Sequence, residues 1–264
     1  MWSVISALPL IPHYLSEILL GHADRIMINQ MCGPAQAGIY NIVYQLSMIM
    51  TIIRTGVNGA FTPWLYISLK GERYLNIRRV TSLLIVMMAL LTLLLILIGP
   101  EILRFAAPPS YYEAVIDMPA IMLGCYFIFV YVLFLNIEIY YEQNQFVAVA
   151  SGVAALTSIV ANIYCIPLWG YLLCGYTTMA SYVLMALMHY CFFARIRKKN
   201  SELSQVFNMS LLFNTSLLLT VLGVALLFIY DYSALRWSAI FLILAVMYVK
   251  KSTVLATIKE LRAK

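Results

Sequence analysis

Arg54 stands in "TIIRTGVNGAF" (51–61), inside a run from Gly38 to Leu69 that otherwise reads as a membrane-spanning helix. No acidic residue lies between Asp24 and Glu72 to pair with it. An unpaired charge at the centre of a span costs roughly 2.5 kcal/mol or more, so such a residue is normally kept to face a watery cavity or a ligand. A second set of chemistry-bearing residues lies upstream. His13 and Glu17 are spaced i,i+4 and can touch on one helix face, and Asp24 follows seven residues later. A histidine beside a carboxylate can act as an acid/base pair. No nucleophile, metal triad or Asp-rich phosphate motif accompanies it, so an enzyme is not expected.

These residues share helix faces. With about 100° of turn per residue, Tyr40, Tyr44, Ser47, Thr51, Asn58 and Thr62 fall within roughly 20° to 80° of Arg54. Ile42, Leu46, Ile49, Ile53 and Val57 take the opposite side, with Gln45 as the exception. On the preceding helix Ser6, His13, Glu17 and Asp24 fall within a sector of roughly 40°. The plainer readings are that Arg54 pairs with Glu17 to lock two helices, and that the hydroxyls are interhelical glue. Two adjacent striped spans, each with charge, point instead to a shared hydrated cleft. Its walls are expected to be His13, Glu17, Asp24, Tyr44, Ser47, Thr51, Arg54 and Asn58. Ser151, Ser158 and Asn162 share a face that reads as a packing seam, and His189 reads as interfacial.

The elements that must hold these faces follow from composition. The 264 residues are 63% hydrophobic and 11% charged, with a mean hydropathy of +0.89; soluble domains carry about 25% charged residues. The fold class is all-α, a polytopic membrane helical bundle. The apolar runs are long and continuous, which excludes a β-barrel. At about 20 apolar residues per crossing, about eight spans emerge, near 2–20, 40–66, 80–105, 115–137, 146–168, 172–193, 208–230 and 233–250. The third reads as apolar all round, with Pro100 marking a bend or stop near its end. No cleavable leader is visible in "MWSVISALPL". The five scattered cysteines lack any CxxC spacing and read as reduced packing residues. The net charge of +6 belongs to loops rather than to nucleic-acid binding. Of the 17 Lys and Arg, thirteen fall in segments that are inner, and three in segments that are outer, if both termini are cytoplasmic. That places Asp24 and Arg25 at the outer face, and 70–79 and 195–199 inside.

Two stretches resemble a known family. "LPLIPHYLSEILLGHADRIMINQMCGPAQAGIYNIVYQLS" (8–47) looks like the helix–DR–loop–AGIY–helix segment that opens the second half of polysaccharide flippases. "YYEQNQFVAVASGVAALTSIVANIYCIPLWGYLLCGYTTMASYVLMALMHY" (140–190) resembles a later segment of them, with Asn162, Ile166, Pro167, Gly170, Gly175, Thr178, Ser181 and Tyr182 in register. "PPSYYEA" (108–114) fits as well. The family is the oligosaccharide-lipid branch of the multidrug/oligosaccharidyl-lipid/polysaccharide exporter superfamily.

The resemblance implies two pseudo-symmetric lobes around a central cavity, lined by the first two helices of each. It implies that a polyprenyl-diphosphate-linked oligosaccharide is carried across a bacterial cytoplasmic membrane for surface polysaccharides such as O-antigen or capsule. Arg54 suits the diphosphate, since a guanidinium offers several donors to phosphate oxygens. On this reading 1–195 is the C-terminal lobe, 206–250 a peripheral hairpin and 251–264 a basic cytoplasmic tail. The partners are the bilayer, the lipid-linked sugar and a six-helix N-terminal lobe or another chain, with no cofactor. The family's first lobe has no counterpart here, so the chain is expected to be a fragment or to assemble with a partner, because half a cavity cannot alternate. A cation-coupled multidrug antiporter, a membrane-embedded glycan polymerase or acyltransferase, and a non-transporting structural partner remain open.

Overall fold

The computed structural model describes residues 10–262, and among them every regular element is a helix. Nine α-helices follow one another: α1 (Leu10–Met31), α2 (Pro34–Lys70), α3 (Tyr74–Ala106), α4 (Met118–Tyr140), α5 (Asn144–Trp169), α6 (Cys174–Lys199), α7 (Met209–Ala225), α8 (Ser233–Val249) and α9 (Lys251–Arg262). Ser6 and most of the first half of the first expected span lie outside the described residues.

Among the described residues, five helical segments are long and apolar enough to cross a membrane: Tyr74–Ala106, Pro109–Tyr140, Phe146–Trp169, Tyr171–Lys199 and Met209–Ile229. A sixth arises if α8 and α9, bent by 57° at their junction, count as one crossing. The chain is thus a multi-pass, all-α membrane protein, with fewer self-evident spans than the eight expected. The shortfall has a physical cause. α1 carries His13, Glu17, His22, Asp24 and Arg25, and the polar stripe of α2 dilutes its apolar face. α8 by itself is only 17 residues long.

α4 is the core of the bundle. Nearly all its side chains are buried, from Met118 to Glu138. It packs chiefly on α6 and also on α2, α3 and α7. α1 packs mainly on α5 and meets α2 through a tight turn. Gly33 sits in that turn with φ 103, a conformation that favours glycine, and Pro34 opens α2 behind it. The helix does not stop at Pro100. It continues to Ala106, and Gly99 lets Met118 press on α3 where a Cβ would fall 2.3 Å from its Cε. α7 and α8 lie against α3, and α9 turns back so that Asn76 and Arg79 bind Glu260 at 2.5 and 2.7 Å. All five cysteines are free.

Candidate functional site

α2 and α4 run side by side in fixed register, and that register collects the polar stripe. Ser47 and Cys125 line one cavity, and Asn136 Nδ2 donates to Asn58 Oδ1 at 2.9 Å, the same 78-residue offset in both pairs. Thr62 Oγ1 adds a donation to Asn136 Oδ1 at 3.3 Å. Between them Tyr40, Tyr44, Ser47 and Thr51 line a small cavity with Gly124, Cys125, Thr178 and Tyr182. Its volume is about 40 Å³, room for water-sized groups only. The stripe therefore opens onto α4 and α6, whereas a cleft between the first two helices was expected. The reason is that α1 leans on α5 and touches α2 only modestly.

Arg54 shares the inward face of α2 with buried Tyr40, Val43, Ser47 and Met50. Tyr44, Cys125 and Tyr131 lie within the field of its charge. Among the described residues no hydrogen bond or ion pair engages it, and its buried Nε has no partner. It does not pair with Glu17, so the helix-locking reading fails. Glu17 instead accepts a hydrogen bond from the hydroxyl of Tyr131 on α4 and lies 3.9 Å from His13.

Asp24 is helical and only 2% exposed, not part of an outer loop, because α1 runs on to Met31. Its carboxylate is the best-satisfied polar group in the bundle. Oδ1 accepts from Asn162 Nδ2 at 2.8 Å; Oδ2 accepts from Tyr40 at 2.8 Å and Thr178 at 2.6 Å. Thr177 in turn donates to Asn162 Oδ1. One carboxylate thus ties together α1, α2, α5 and α6. The neighbouring Arg25 also contacts α2, donating to Asn41 at 3.1 Å and lying 4.2 Å over the Tyr44 ring.

Three groups that the sequence left in minor roles belong here. The face of Ser151, Ser158 and Asn162 is buried as the expected packing seam, and within it Asn162 is also a partner of Asp24. His189 is fully buried, not interfacial, with Nδ1 2.9 Å from Glu138 Oε1. Asp117, the residue before α4, is buried against the start of α6, where Gly175 leaves it room: a Cβ there would stand 2.8 Å from its Oδ1. Sequence spacing gave no signal for these pairings, since each contact joins segments far apart in the chain.

Fold and site together define the class: a polytopic helical membrane protein whose central helices enclose polar and ionisable side chains. Among proteins of known sequence, the chain is 28% identical over 166 residues to a Haemophilus influenzae protein named only for its place in the Lsg locus. That match covers 58% of this chain, and the chain spans 40% of the relative's length. No protein-family model matches the sequence, and no solved structure matches it.

Proposed function

We propose that the chain is part of a transporter that flips polyprenyl-diphosphate-linked oligosaccharide across the bacterial cytoplasmic membrane for surface polysaccharide synthesis. The observation that carries the reading is Arg54. It is a half-buried guanidinium that no acid pairs with among the described residues, its buried Nε unpartnered. A fixed, unneutralised fork of donors inside a bundle suits a diphosphate. The sequence resemblance to polysaccharide flippases supplies the rest of the substrate. The small cavity beside Tyr44, Ser47 and Thr51 then represents a closed arrangement, and α1 and α2 are the helices that move to open it. The distribution of Lys and Arg supports a reading with both termini in the cytoplasm.

Complementation tests this. In the native host lacking the gene, Arg54→Ala should abolish surface polysaccharide, while Arg54→Lys, which keeps the charge but not the fork, should restore part of it. Equal polysaccharide from the Ala and Arg forms, at matched protein levels, removes the phosphate-binding role.

A second reading, a cation-coupled multidrug antiporter, is favoured by Asp24 alone. It is a buried carboxylate of the kind cation coupling requires, and it would hold a small cation or a proton by giving up donations from Tyr40, Thr178 and Asn162. Cation-dependent drug efflux that is lost in Asp24→Asn, with normal polysaccharide, selects this alternative.

A further inference from the structure

Apart from Arg54 and Asp24, the bundle buries a second ionisable assembly. Glu138 on α4 and His189 on α6 are both fully buried, with His189 Nδ1 at 2.9 and 3.1 Å from the two carboxylate oxygens. The other imidazole nitrogen, Nε2, is buried and has no hydrogen-bond partner. One flank of the imidazole is covered by the Tyr131 ring, stacked at 5.3 Å and 18°. The hydroxyl of that same tyrosine holds Glu17 on α1. One side chain therefore touches the buried pair with its face and a wall of α1 with its edge.

We propose that the Glu138–His189 pair is a proton-binding site, and that Tyr131 transmits its occupancy to Glu17. With neutral imidazole, Nδ1–H donates to the Glu138 carboxylate and the pair carries one negative charge. A proton arriving on the Nε2 lone pair makes an imidazolium–carboxylate pair of zero net charge. Burial favours the neutral pair, because an uncompensated charge in an apolar interior is expensive. The imidazolium is also attracted to the face of Tyr131. Loss of the proton removes that attraction from the ring whose hydroxyl anchors α1.

The surroundings confine the effect to few groups. α1 contributes His13 and Glu17, and His13 lies near enough to oppose a charge on His189. α2 contributes Arg54, whose field reaches Tyr131. α4 adds Tyr131 itself, and α6 adds Tyr182, which also lies within the field of Glu17. Near the cytoplasmic end of α6, Arg195 lies over Phe146 of α5 and Phe192, at 5.8 and 5.6 Å. α7 has no titratable side chain. What the proton drives rests on the transport reading above; that it binds, and that Glu17 follows it, does not.

The experiment is solid-state NMR of the whole chain in bilayers, with ring-labelled histidine and carboxyl-labelled glutamate. The chain has only three histidines, which makes assignment tractable. The ring-nitrogen signals of His189 should report the uptake of a single proton as pH falls, and the Glu17 carboxyl signal should move with the same midpoint. Glu138→Gln should weaken proton binding at His189 by about tenfold or more, one pH unit of midpoint. Tyr131→Phe keeps the stacked ring but loses the hydroxyl, so His189 should still titrate while Glu17 stops following. A His189 signal that stays constant as pH falls, or a Glu17 signal that ignores it in the unaltered chain, overturns the proposal; neither needs a variant to fold. A flat titration leaves the Arg54 complementation result intact, and failure of that result leaves the titration intact, so the two readings fail separately.

Discussion

Removing the Asp24 carboxylate, by Asp24→Ala, should loosen four helices at once. The side chain accepts from Tyr40, Asn162 and Thr178. Interhelical hydrogen bonds in membranes average about 0.6 kcal/mol and reach about 1.7. Three of them therefore give about 2 kcal/mol at the mean. For a chain of this size 1 kcal/mol lowers the midpoint of thermal unfolding by about 2–4 °C, so the expected fall is about 4–8 °C. With Cys32, Cys165 and Cys191 replaced, a thiol-reactive dye reads it, since Cys125 and Cys174 are buried and free and become reactive on unfolding. Burial of the charge itself works against the estimate, because replacing buried ionic groups is sometimes stabilising. A double-mutant comparison separates the two effects. Tyr40→Phe with Thr178→Val should cost about 1 kcal/mol when Asp24 is present and nothing when it is Ala. If that pair of substitutions costs the same in both backgrounds, the hydroxyls are not held by Asp24 and the account of the cluster is wrong.

Other outcomes follow from single contacts. Gly175→Val should destabilise by about 1–3 kcal/mol, because its Cβ would stand 2.8 Å from Asp117 Oδ1 and 3.3 Å from Ile121; the same thermal assay measures it. Arg236 is buried against Glu101 and the carbonyl of Leu97. Arg236→Met should strand Glu101 and cost about 3–5 kcal/mol, and an Arg236→Met, Glu101→Leu double variant should recover most of it. For topology, a cysteine at position 197, with the natural five replaced, should react with an impermeant reagent only from the cytoplasmic side. Labelling from outside refutes the orientation.

How much of this was legible in the sequence is clearest from particular residues. Helix content and membrane class were readable, because a run such as "VTSLLIVMMALLTLLLILIG" (80–99) has no stable alternative in lipid. The stripe of α2 was readable too, since Tyr40, Tyr44, Ser47 and Thr51 lie on one face by the helical period alone. What that face meets was not. A period fixes which side chains share a side, not which helix packs there, and α4 took the place assigned to α1 through long-range packing. The same limit explains His189. Its sequence neighbours are apolar and a basic run begins six residues later, so it read as interfacial; only the parallel packing of α4 and α6 brings Glu138 to it. Asn162 and Thr178 were noted for their family register, yet their shared partner, Asp24, lies more than 130 residues away. A buried polar network in a membrane bundle is thus written in helix-to-helix register. The residues that complete it are those whose local sequence gives them least reason to be charged or polar, which is why Glu138, at the end of an otherwise apolar α4, carries more information than its surroundings suggest.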